Sequence, residues 1–147
     1  MTGPLSRHPV RVVASGLLLW IVGMVVGSVV FAVPRLKAAP PIPYLTANPC
    51  VTVPIVVLWV PLAWLLVRRS ISRSSDPAGE GLRTGLLLVA VNMLLDLVFV
   101  AGVMHAGPRF YAYAGLWLAY AALIVVPWVA GLQVAKKRRI GDARKPS

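Results

Sequence analysis

Acidic side chains are nearly absent from this chain. Its 147 residues carry four aspartates and glutamates against fifteen lysines and arginines, a formal net charge of +11. Only 13% of the residues are charged, whereas soluble domains carry about a quarter. That balance excludes an ordinary globular domain. Disorder goes with low hydrophobicity and is excluded too, because 59% of the chain is hydrophobic. Cysteine occurs once, at Cys50, so no internal disulfide, CxxC pair or thiolate metal cluster can be built from it. A free thiol or an intermolecular bridge stays open, and a small residue near a helix start is the plainer account. There are two histidines, His8 and His105, and no HExxH, glycine-rich phosphate loop or GxSxG. The few polar residues do not combine a nucleophile with a nearby base. Neither an enzyme nor a cofactor is expected.

What the chain has is long apolar runs. A helix needs roughly 20 apolar residues to cross a hydrocarbon core about 30 Å thick. Four stretches qualify: Val12–Val33, Val51–Val67, Thr84–Met104 and Tyr113–Ala135. The expected fold is therefore an all-α membrane protein, a bundle of four transmembrane helices in a single domain, followed by a basic tail over 136–147. A cleavable signal peptide competes for the first run, which follows Arg7 and Arg11 and precedes "KAAPP". Signal h-regions span about 7–15 residues, and this run is longer, so a retained helix is expected.

The basic residues flank the apolar runs and form no face interleaved with aromatics, so no nucleic-acid partner is expected. Their distribution sets an orientation instead. With the N-terminus inside, Arg7, Arg11, Arg68, Arg69, Arg73 and Arg83 lie on the inner side. The tail adds Lys136, Lys137, Arg138, Arg139, Arg144 and Lys145. Only Arg35, Lys37 and Arg109 lie outside. Both termini should therefore be cytoplasmic, in a multi-pass protein of a bacterial inner membrane. The tail should attract anionic lipid, at about 1 kcal/mol per basic residue.

Asn48–Pro49 and Asp76–Pro77 are N-cap and first-turn pairs opening the second and third helices. Pro34, Pro40, Pro41, Pro43 and Pro49 keep the first outer connection extended or turning. Tyr44, Tyr111, Tyr113 and Trp128 fall near the interfaces, where amphipathic rings settle. In the first helix Gly23 and Gly27 form a small-xxx-small pair, with Gly16 a heptad earlier on nearly the same face. Such a groove admits a close neighbour, within the bundle or in a homodimer. Pro61 should kink the second helix, with Trp59 and Trp64 as packing bulk around the bend or as walls of a cavity.

The polar centre lies in "VNMLLDLVF". Thr84, Leu88, Asn92 and Asp96 follow one another at i, i+4 spacing, one stripe on one helix face. Asp96 is near the midpoint of its run, and aligning the outer ends of the third and fourth helices puts Tyr120 at its depth. No lysine, arginine or histidine lies there. Placing an aspartate at the bilayer centre costs about 2.5–3.5 kcal/mol. Desolvation without a cation favours the uncharged carboxyl, so Asp96 is expected to be neutral and hydrogen-bonded to Asn92, Tyr120 or a water. Two roles stay open: a polar clasp between helices, worth about 0.6–2 kcal/mol, and a titrating group facing a wet cavity.

The strings "SGLLLWIVGMVVGSVVF", "EGLRTGLLLVAVNMLLDLVF" and "YAGLWLAYAALIVVPWVAGL" resemble a group of small prokaryotic four-helix integral membrane proteins. There an "EG" at the inner surface opens a third helix carrying an Asn-x-x-x-Asp pair, matched here by Glu80, Gly81, Asn92, Leu95 and Asp96. The resemblance implies the fold and topology and implies no activity. "LLLVAVNMLLDLVF" is also similar to the opening helix of GtrA-like proteins, although here it lies in the third helix. Small multidrug transporters share the size and carry their acid in the first helix, which has none here. The function expected first is a non-enzymatic accessory or scaffold subunit, self-associating or bound to a larger membrane protein. The alternative is a small proton-linked transporter or lipid-linked substrate carrier using Asp96.

Overall fold

The computed structural model of the chain describes residues 7–31, 49–103, 105, 108–112 and 114–143. These are helical almost throughout. Helix α1 is Arg7–Phe31, α2 is Pro49–Ile71 and α3 is Pro77–Leu95. Helix α3 continues as a π segment over Asp96–Val103, and after a short 3₁₀ turn at Pro108–Ala112 helix α4 spans Ala114–Ala143. Among the described residues, four helices are long and apolar enough to cross a membrane, over Val10–Val29, Val53–Ile71, Pro77–Val103 and Ala114–Gly141. The expectations placed on Arg35, Lys37, Tyr44, Asn48, Tyr113, Arg144, Lys145, Pro34, Pro40, Pro41 and Pro43 lie outside the described residues.

The helices run past their apolar stretches. Helix α3 begins at Pro77, seven residues before Thr84, because Asp76 caps it. Its Oδ1 accepts from the Gly79 amide at 3.0 Å, and Pro77 sits at the first helical position, where its missing N–H costs nothing. Helix α4 continues beyond Ala135 through the lysines and arginines, which are good helix formers. Part of the expected basic tail is thus helix, and Arg138 has a defined partner. Its two terminal nitrogens donate to the Ser72 and Ser74 carbonyls, both at 2.7 Å, and so cap the α2–α3 connection.

Helix α1 packs against α2 and α3, and α4 packs against the same two, so α1 and α4 stand diagonally across the bundle. Helices α1 and α3 run parallel: Gly16 faces Val91 and Asn92, and Trp20, one turn on, faces Asp96. Helix α4 runs antiparallel to α3 along a seam of glycines. A Cβ on Gly85 would lie 2.8 Å from Ile124 Cα, while Gly81 meets the Pro127 carbonyl and Gly131 meets the Pro77 carbonyl. Gly81 and Gly85 are a GxxxG pair, and without Cβ atoms the two backbones approach directly.

The glycines of α1 act within the bundle. Gly23 leaves room for the Trp59 ring, whose Cζ2 lies 2.8 Å from where its Cβ would stand. The Trp59 indole nitrogen donates to the Leu19 carbonyl at 2.8 Å. Leu19 lies one turn before Gly23, so the missing side chain exposes that carbonyl. Trp59 is therefore a cross-helix donor as well as bulk. Gly27 is also buried, while Pro61 lies on the exposed side of α2. The core holds Leu19, Ile55, Trp59, Ala63, Leu88 and Leu123, and outward positions such as Val25, Val57, Leu65, Leu94 and Leu118 are apolar and exposed.

Candidate functional site: the carboxyl between three helices

The stripe read from the sequence is buried over its whole length: Thr84, Leu88, Asn92 and Asp96 all face the interior. It ends where the helix changes pitch. The Asp96 amide is shared between the Asn92 and Met93 carbonyls, and the wider π turn begins there. The Met93 carbonyl takes a second donor, the Tyr111 hydroxyl, at 3.2 Å. Burial pushes the Tyr111 phenol up from its ordinary value, and Asp96 adds to that push when it is ionised.

Both oxygens of the Asp96 carboxyl are engaged. Oδ2 accepts from the Tyr120 hydroxyl at 2.6 Å, and Oδ1 accepts from the Trp20 indole nitrogen at 2.9 Å. Tyr120 comes from α4 and Trp20 from α1, so one side chain of α3 ties together the diagonal pair of the bundle. Aromatic rings hold the donors in place. Trp20 lies 5.1 Å from Phe99 at 44°, and Trp117 meets Tyr120 edge-on at 5.9 Å. The Trp117 indole is itself anchored on the Tyr111 carbonyl at 2.8 Å.

This arrangement accommodates either charge state of the acid. An indole N–H only donates, so Oδ1 must accept, whereas a tyrosine hydroxyl donates to an ionised Oδ2 or accepts from a protonated one.

Asn92 is not the partner of Asp96. Its Nδ2 donates to the Leu88 carbonyl at 2.8 Å and lies 3.5 Å from the Gly16 carbonyl. Its Oδ1 is buried without a hydrogen-bond partner. The i, i+4 spacing puts Asn92 and Asp96 on one face, but each reaches a different turn of α1, Asn92 at Gly16 and Asp96 at Trp20. Trp20 is not among the residues that the sequence singles out, although it carries a signal: an indole one turn after Gly16, at mid-depth of a helix whose glycine face turns inward. The Gly81–Gly85 seam is likewise a feature of the structure that the sequence reading does not include.

Among the described residues no group of three His, Cys, Asp or Glu side chains is placed to hold a metal ion. Comparison of the chain with protein-family profiles, with curated proteins and with solved structures found no match. The geometry alone therefore carries the functional argument.

Proposed function

We propose that the chain is a multi-pass protein of the bacterial inner membrane with both termini in the cytoplasm, acting as a non-enzymatic accessory or scaffold subunit. The observation that carries this reading is the double engagement of the Asp96 carboxyl by Trp20 and Tyr120. An acid held on both oxygens by donors from two further helices is built to fix helix positions, which a scaffold requires. The membrane setting is supported by the exposed apolar faces of all four helices, since soluble monomers do not expose apolar surface on that scale. The orientation is supported by Arg11, Arg68, Arg69, Arg83, Lys136 and Lys137, which lie toward one end of the bundle and match the cytoplasmic excess of positive charge. In this reading the chain joins the small four-helix proteins that its first, third and fourth helices resemble. Its outward faces are then available to lipid, to a second copy or to a larger membrane protein.

The second reading, a small proton-linked transporter or lipid-linked substrate carrier, draws on the π segment that starts at Asp96, because π turns concentrate at functional sites. Asp96→Asn separates the two. An amide accepts from Trp20 and donates to Tyr120, so a scaffold should keep its fold, its retention in alkali-washed membranes and its co-purifying partners. Loss of a proton-coupled flux in reconstituted vesicles, with the fold intact, would favour the carrier.

A further inference from the structure

At the basic end of the bundle, α1, α2 and α3 part around a cleft of about 450 Å³. Arg11 of α1 and Arg69 of α2 line it, and among the described residues no carboxylate does. Both arginines sit at the ends of apolar spans, the depth at which lipid phosphates lie. Deeper in, the walls are mainly apolar, formed by Val12, Ala14, Leu66 and Val67, with the Ser15 hydroxyl donating to the Arg11 carbonyl of its own helix. Thr84 also borders the cleft, two turns into α3; it is only 1% exposed, and its Oγ1 has no hydrogen-bond partner. A mid-helix threonine can bond back to the carbonyl one turn earlier; Thr84 does not, which leaves its hydroxyl with hydrogen-bonding capacity to spare.

Two guanidiniums at headgroup depth, a spare buried hydroxyl and an apolar wall below them match one chemistry. We propose that the cleft binds the phosphate of an anionic amphiphile, with Arg11 and Arg69 on the phosphate oxygens and Thr84 at the inner edge. Guanidinium forks suit phosphate because they offer paired, parallel donors. The volume admits a headgroup and the first methylenes, and the remaining chains run out along exposed Leu65. A smaller cleft of about 190 Å³ between α2 and α4, lined by Arg68 and Lys137, has no buried polar atom left without a partner beside it and is the weaker candidate.

The proposal rests on the membrane reading above, and the full-length protein in lipid nanodiscs tests it. Discs containing equal amounts of phosphatidylglycerol and phosphatidylcholine are loaded, and native mass spectrometry counts the lipids retained. Phosphatidylglycerol should be preferred, and Arg11→Gln/Arg69→Gln should cut that preference roughly tenfold or more. Lys136→Gln/Arg139→Gln removes the same charge from the exposed end of α4; it should weaken only the diffuse attraction of the tail and leave the lipid retained in the cleft in place. Equal loss in both double variants would mean diffuse attraction and overturn the site. Displacement of the lipid by inorganic phosphate alone would overturn the amphiphile as ligand. If the arginine pair proves necessary for folding, Thr84→Val carries the test, and an unchanged preference in it overturns the site. Failure to enter the discs overturns the membrane reading and the cleft with it, whereas entry with equal retention of both lipids overturns the cleft alone.

Discussion

Trp20 and Asp96 stand 76 residues apart in the chain and meet through a 2.9 Å hydrogen bond from the indole nitrogen to Oδ1. The same 76 residues separate Gly16 from Asn92 one turn earlier, which locks α1 and α3 in a parallel register. Because Asp96 also holds Tyr120, the register of α1 against α3 is coupled to the position of α4. The carboxyl is thus a joint for three helices.

Asp96→Leu removes the acceptor from two donors at once. Each stranded donor costs about 1–3 kcal/mol, so this variant should melt well below the wild type in detergent. Asp96→Asn retains an acceptor for Trp20 and a donor for Tyr120 and should melt close to it. Equal melting of the Leu and Asn variants would show that the clasp contributes nothing.

Trp20→Phe and Tyr120→Phe each delete one bond and keep a ring beside Phe99 or Trp117. Each should cost about 0.6–1.7 kcal/mol, the range for hydrogen bonds between membrane helices. In the Asp96→Leu background both costs should vanish or change sign, since the shared acceptor is already gone and each substitution removes a stranded donor. Steric-trap unfolding or thermal melting of the double-mutant set measures this, and full additivity would contradict the proposed coupling.

Gly85→Ala drives a methyl toward the backbone of α4 at Ile124, and backbone cannot move aside as a side-chain tip can. Overpacking of this kind costs about 1–3 kcal/mol. Gly141→Ala, where nothing lies within 4 Å, is the control and should be silent. Comparable melting shifts for the two would refute the tight α3–α4 seam.

Gly23→Ala should displace the Trp59 ring and with it the bond to the Leu19 carbonyl. Trp59→Phe already lacks that bond, so the two substitutions should be less than additive. Tryptophan fluorescence of the Gly23→Ala protein reads the displacement, and an unchanged spectrum counts against it.

Arg138→Gln should release the α2–α3 connection, since it loses donors to the Ser72 and Ser74 carbonyls. Hydrogen exchange over residues 72–76 should speed up while α3 stays protected. The effect is local because Arg138 lies on the exposed end of α4.

The apolar runs of the sequence by themselves determined four long helices, since composition decides whether a helix can cross a hydrocarbon core. Local chemistry likewise determined the opening of α3, where Asp76 and Pro77 complete their own cap without outside help. The i, i+4 stripe from Thr84 to Asp96 was legible because helical periodicity places those residues on one face. Which donors met that stripe was a different matter. Depth matching pairs Asp96 with Tyr120 across a short connection, but nothing local pairs Asp96 with Trp20, on a helix 76 residues away. Only packing decided that the α1 glycines would admit Trp59 and Val91, and that Gly81, Gly85 and Gly131 would bring two backbones together. Hydropathy reports how apolar a residue is; register between helices depends on which shapes interlock, and that is a property of the assembled bundle.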